Sequence, residues 1–394
     1  MTKLLHQLGH RYQWSLTSIK EDSAGDGVIV GPRYMEPSKV ADIPYSVRSR
    51  SIFDPQFFLP NTAAGKLREY SFFPDILSDG FSTSEWSIDS ASECADRCLE
   101  FQLSMDFEAV VIPTRFYEGM PSNFITNQER QFVHPFLSSV ERLGVDTAVY
   151  LQLILTDQML KDRPYRTEIL NWITSFPELS GVYLIVHAHN RTKQNADIDL
   201  LIGLLSFISA ALKRVGMCIV IGYTNTESLL LLCAEPDAVT MGSYENLRMF
   251  SLRAFENQDG STPRGPNPRI YIPRLLDWVE YQYIGAIARV VSDLDDYIGN
   301  DTYRVRMFQS SYNWHFTKPE PYKHYFKSFS DQFYRLHSSS SDTLVDRVLA
   351  ECRQAHNDFE MLREAGIVFP SGSGGEHVAN WITAINLWRQ EEDL

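Results

Sequence analysis

Two acids stand out by their surroundings. Asp54 sits in "SIFDPQFF", between apolar and aromatic residues. Burial there pushes a carboxyl up, and a neighbouring arginine holds it down. Either makes Asp54 a candidate acid, base or ligand-reading carboxylate. The plainer role of the same residues is an Asp-Pro turn at a strand end. Glu245 is the second acid, in "MGSYENLR". Gly242 lets backbone approach a ligand, Ser243 offers a hydroxyl, Tyr244 a stacking face and Arg248 a guanidinium for an anion. The same run also reads as a helix opening, with Ser243 as cap and Asn246 in its first turn. A helix N-terminus at such a place is itself an anion site.

The run "HAHN" puts His187 and His189 on one side of a strand end. Two histidines need a further ligand to hold a metal, and Asp157 or Glu245 would have to supply it. A hydrogen-bonded pair is the plainer role, so no metal is assigned and no cofactor is expected. No G-x-S-x-G, P-loop or Cys-His pair of recognisable spacing occurs, which leaves serine or cysteine catalysis unsupported. Cys94 and Cys98 lie four apart in a helical pattern with no second pair at zinc spacing.

The elements that must position these groups are apolar, β-rich runs. They are residues 27–31, 51–58, 109–113, 148–155, 181–188, 217–223, 238–242 and 269–273. Several are continuous rather than alternating, as in strands buried on both faces. Helical segments such as "DIDLLIGLLSFISAALKRV" lie between the later runs. Eight runs with intervening helices predict a (β/α)8 barrel of the TIM type, within the α/β class, with a doubly wound sheet as the alternative. No G-x-G-x-x-G follows the first run, so a dinucleotide fold gains no support. Residues 1–300 read as the barrel, with a long insertion near 59–108, and 301–394 as a helical C-terminal extension.

In such a barrel the reactive groups lie at the carboxyl ends of the strands. That rule nominates Arg33 after the first run and Asp54 and Gln56 after the second. It adds Arg115, Gln152, His187, His189, Tyr223 and Asn225 from the next four. The seventh contributes Ser243, Glu245, Asn246 and Arg248, and the eighth Arg274. Arginines match phosphate or carboxylate oxygens, and Asn and Gln suit the edges of a base or amide. Acids are too dispersed for a Mg²⁺ or Ca²⁺ cage.

Bulk composition narrows the partners. The 394 residues are 44% hydrophobic and carry a net charge of −14. Such a chain does not coat nucleic acid non-specifically, although a local basic groove stays open. The N-terminal residues lack the apolar stretch of a signal peptide. The apolar run "LLIGLLSFISAAL" is too short to span a bilayer. Five dispersed cysteines fit a reducing cytoplasm.

The layout resembles the tRNA-guanine transglycosylase-like barrels, including deazaguanine-related members found in bacterial defence gene sets. "SIFDPQFF" and "PDAVTMGSYENLRMF" carry the similarity. The resemblance implies that Asp54 contacts a purine-like base. It also implies a nucleophilic Asp in the late strand, where this chain has Thr240, and a zinc insertion that this chain lacks. Two functions follow as expectations. One is an enzyme acting on a purine-like small molecule or nucleotide, with Asp54 and Glu245 as the carboxyl pair of glycosidic-bond chemistry. The other is a catalytically degenerate barrel that senses a ligand and docks a protein partner through its C-terminal helices, within a multi-protein, antiphage system.

Overall fold

The barrel opens on a strand that the apolar pattern does not reveal, Lys3–Gln7. The computed structural model describes all residues except 60, 63–64, 74–80, 83–86, 190–192, 257–264, 266, 338–342 and 393–394. Asn190, Arg191 and most of the 256–268 loop therefore lie outside the described residues.

Eight parallel strands close into a barrel in sequential order. They are β1 (Lys3–Gln7), β2 (Gly27–Val30), β3 (Ile52–Phe53), β4 (Ala109–Ile112), β5 (Ala148–Thr156), β6 (Gly181–His187), β7 (Cys218–Gly222) and β8 (Ala238–Gly242). β8 closes on β1, with Lys3 opposite Ala238 and Gln7 opposite Gly242. The expected eighth strand is not part of this ring. Arg269–Ile272 (β9) pairs antiparallel with Asp277–Glu280 (β10) in a hairpin. "AVTMG" is accordingly the eighth barrel strand and not the seventh.

The continuous apolar runs follow from burial on both faces. Leu5, Ile29, Ile52, Val111, Tyr150, Tyr183, Val220 and Ala238 form one cluster, the barrel interior. Their strand neighbours Leu4, Val28, Phe53, Val110, Leu151, Val182, Ile219 and Val239 belong to the cluster under the helices.

The helical layer includes α1 (Tyr12–Asp22), α2 (Ile88–Ser104), α3 (His134–Leu143), α4 (Arg163–Ile173) and α5 (Ile198–Val215). Ser87 caps α2 by accepting from the Ser90 amide. Cys94 and Cys98 are buried on this helix, and burial pushes both thiols up.

After the hairpin and three short helices come three long ones: α6 (Glu320–Leu336), α7 (Leu344–Glu364) and α8 (Glu376–Glu391). They build part of the barrel wall. α6 packs on α1 and β9, and its Phe326 ring meets His6 of β1 edge-on at 4.5 Å. α8 packs on α5 and α7, burying Trp381 and Trp388 completely. The Trp381 indole N–H donates to the Asn195 carbonyl at 2.6 Å. No helix among the described residues is long and apolar enough to cross a membrane.

Candidate functional site

β3 is only two residues long because the chain leaves the ladder at Asp54, whose amide makes its last bond to the Val30 carbonyl at 2.7 Å. This exit places the Asp54 side chain among groups from β5 and β6. One carboxyl oxygen accepts from the Gln152 amide at 2.5 Å and from the Gln56 backbone N–H at 3.0 Å. The other accepts from the Tyr183 hydroxyl at 3.3 Å. Asp54 is 0% exposed. Burial raises its carboxyl to about 7, and the bonds from Gln152, Gln56 and Tyr183 oppose that rise without cancelling it. No arginine is among these partners, so burial decides between the two directions that the sequence left open.

Gln56 holds the next layer. Its backbone is left-handed, with φ of 59°. Its side-chain oxygen accepts from the Arg33 amide at 2.8 Å, and its NH₂ donates to the Tyr223 hydroxyl at 3.4 Å. A Cβ on Gly31 would lie 2.2 Å from that NH₂, so glycine is what lets the Gln56 amide reach this place. Asp54, Gln56, Gln152 and Tyr223 thus come together as one network. Tyr183 joins it from the middle of β6, and Gln7 from the carboxyl end of β1 through the Tyr183 hydroxyl. Gln7 is buried, and its side-chain oxygen has no partner among the described residues; nor does the buried Thr114 hydroxyl.

Aromatic rings cover the network. Phe58 follows β3, while Phe250 and Phe255 come from the segment after β8. Phe58 meets them edge-on at 5.0 and 4.6 Å, and Phe250 meets Tyr223 at 5.3 Å. All four share the apolar cluster of the barrel interior. The Arg33 guanidinium lies 5.3 Å from the Phe255 ring, and its Nε and Nη1 are buried without hydrogen-bond partners among the described residues.

His187 and His189 lie at the end of β6, their rings 5.1 Å apart and edge-on. They do not bond to each other. His189 Nδ1 bonds to Asp157 Oδ1 at 2.6 Å, and its Nε2 lies 3.9 Å from Glu118. Burial, with His189 as a lesser cause, lowers His187. No group of three or more potential metal ligands is clustered among the described residues. Arg115 is buried beside Phe132, and its backbone is clasped by the Gln128 amide at 3.0 and 2.7 Å. Asn225 donates to the Lys193 carbonyl at 2.9 Å.

The turn directly after β8, residues 243–248, goes elsewhere. Glu245–Arg248 is a single helical turn capped by Tyr244, not Ser243, and without a side-chain capping bond. Asn246 is exposed and donates to the Tyr34 hydroxyl at 3.1 Å. Arg248 donates to the Ser243 carbonyl at 3.3 Å and lies 4.0 Å over the Trp278 ring. Glu245 and Arg248 line a cleft with Arg269, Trp278 and Tyr322, a cleft of which Asp54 is no part. Asp54 and Glu245 therefore do not face each other as the carboxyl pair expected from sequence. The Thr240 hydroxyl is buried and accepts from the Thr224 amide at 3.0 Å.

Arg274 is not at the mouth, because β9 is not a barrel strand. It sits in the hairpin turn and donates to Asp358 at 2.6 Å. Asp277, buried in β10, is raised by burial to about 7 and accepts from Gln194 and the Trp278 amide.

No protein-family model and no curated protein sequence matches this chain. Solved structures do resemble it. The type I 3-dehydroquinate dehydratase of Clostridium difficile is 11% identical over 64% of this chain and 89% of its own, with a TM-score of 0.35. Xylanase B of Clostridium stercorarium F9 is 12% identical over 63% and 89%, with a TM-score of 0.37. The dihydrodipicolinate synthase of Bacillus clausii is 9% identical over 99% and 97%, with a TM-score of 0.34. None of these three is a tRNA-guanine transglycosylase. The likeness is of barrel to barrel, and nothing of their chemistry is carried over to this chain.

Proposed function

We propose that the barrel mouth binds a planar, polar heterocycle of the purine or deazaguanine type, with Asp54 as the carboxyl that reads it. One observation carries this reading: a fully buried carboxyl, poised near neutrality, sits with two side-chain amides and two phenols beneath aromatic rings. Such a set offers alternating donors and acceptors to the edge of a base, and stacking faces to its plane. A carboxyl poised near 7 is also suited to exchange a proton with its ligand. Phe250 and Phe255 belong to one segment, which would act as the lid that admits it.

Turnover of a glycosidic bond asks for a second carboxyl nearby, and Glu245 lies in a different cleft. Binding is therefore the part of the expected activity that the geometry supports best. Calorimetric titration with guanine and 7-deazaguanine tests it. The wild type is expected to bind one of them, and Asp54→Asn to bind it at least tenfold more weakly, since a charged or charge-poised hydrogen bond is worth about 1.5–3 kcal/mol. Equal binding by both proteins, or none by the wild type, would remove the reading.

A further inference from the structure

The cleft that Glu245 and Arg248 enter is separate from the Asp54 network and has its own chemistry. Its walls are Tyr244 and Arg248 from the β8 turn, Arg269 and Trp278 from the β9–β10 hairpin, and Tyr322 from α6. We propose that this cleft is an oxyanion site, taking a phosphate-type group between Arg248 and Arg269.

Three observations carry the proposal. The first is size. The cleft holds about 50 Å³. One water needs roughly 10–15 Å³, so the space suits a few waters or one tetrahedral oxyanion.

The second is the polarity of what lacks a partner. Arg269 Nε and Trp278 Nε1 are buried and make no hydrogen bond among the described residues. Both are donors, and both belong to residues that line the cleft. Buried donors without partners are rare in folded proteins, and an oxyanion supplies acceptors only. The remaining link of Arg269, from Nη2 to Glu280, is 3.8 Å long, an ion pair without a hydrogen bond.

The third is charge and rigidity. Arg248 is 8% exposed, with its guanidinium held over Trp278 at 4.0 Å and near Tyr325 at 5.6 Å. Lys193 lies close enough to feel Arg269. Three acids face these cations, Asp277, Glu245 and Glu280, and Asp277 is already engaged by Gln194 and the Trp278 amide. Glu280 already accepts from Asn267 at 3.2 Å and from Gln282 at 2.8 Å. An oxyanion would relieve the repulsion among the three cations and offer the Arg269 guanidinium two acceptor oxygens.

The full-length protein is titrated with sodium phosphate, against sodium chloride of equal ionic strength, by calorimetry and thermal unfolding. Phosphate is expected to bind the wild type and raise its Tm by mass action. Arg269→Gln and Trp278→Phe are each expected to weaken binding at least tenfold, and Arg269→Lys less. Trp278→Phe keeps an aromatic ring under Arg248 while removing the indole N–H together with the five-membered ring, so it reports even if Arg269→Gln folds poorly.

GMP and guanosine complete the set. GMP binding at least tenfold tighter than phosphate identifies a nucleotide as the source of the group, and equal binding identifies free phosphate. Absence of a phosphate response up to about 10 mM, a concentration that reveals any Kd near 1 mM, would overturn the proposal. So would wild-type affinity in both Arg269→Gln and Trp278→Phe. Asp54→Asn is expected to leave the phosphate response unchanged, so this site and the base-binding reading fail separately.

Discussion

The Asp54 carboxyl and the Gln152 amide are joined at 2.5 Å across the barrel interior, with β4 between their strands. The bond ties the end of the shortest strand to the middle of the longest. It holds a carboxyl in place where water does not reach it.

That burial makes stability depend on pH. The Asp54 carboxyl is raised from 3.8 to about 7 on folding. The folded chain keeps a proton that the unfolded chain releases, so this contribution is fully present below pH 3.8. It is lost as pH rises through about 7. The difference corresponds to about 4 kcal/mol at 1.36 kcal/mol per unit, as an order of magnitude. Asp54→Asn removes the titration. Urea unfolding is expected to show the variant gaining on the wild type between pH 5 and pH 8. Asp277 is raised to about 7 by the same cause. Asp277→Asn therefore supplies a parallel comparison in the same window.

Gly31→Ala tests the placement of the Gln56 amide. The added Cβ meets that amide at 2.2 Å, which forces it away from the Arg33 N–H and the Tyr223 hydroxyl. Overpacking of this kind costs about 1–3 kcal/mol. A lower urea midpoint together with weaker guanine binding is expected. Wild-type values for both would mean that the Gln56 side chain is free to sit elsewhere.

Phe250→Ala opens the cover. Phe250 is 2% exposed and touches Phe58, Phe255 and Tyr223. Its loss is expected to cost about 3–5 kcal/mol, the usual range for a buried phenylalanine. It is also expected to raise the ligand association rate in stopped-flow, because the segment after β8 no longer has to lift a ring. An unchanged rate would show that this segment does not gate the mouth.

Trp388→Ala tests the role of the C-terminal helices in the barrel wall. Trp388 is 0% exposed on α8, which packs against α5. A loss of about 3–5 kcal/mol in global stability is expected. A separate unfolding transition, with the barrel intact, would instead show that residues 301–394 form a unit of their own.

Most of the barrel is legible because strands buried on both faces leave continuous apolar runs. β1 escapes for a physical reason: "KLLHQ" ends in His6 and Gln7, polar residues that are nonetheless buried. His6 bonds to the Ala24 carbonyl at 2.7 Å, a satisfaction that no periodicity displays. "RIYIP" misleads in the opposite way. It has the composition of a barrel strand, but "DWVE", starting four residues past its proline, folds back on it.

The strand-end rule finds Asp54, Gln56 and Tyr223 because it specifies which end of a strand reaches the mouth. It passes over Tyr183, which points into the network from within β6, and over Gln7, which ends a strand that the apolar pattern does not reveal. It cannot tell on which side of a loop Glu245 emerges.

The most direct test of base binding against Asp54 is a carboxyl ¹³C NMR titration with guanine. The Asp54 signal is assigned as the one absent from Asp54→Asn. On saturation it is expected to shift while the signals of Asp157 and Asp277 stay in place. Guanine binding that leaves the Asp54 signal unmoved would contradict the account.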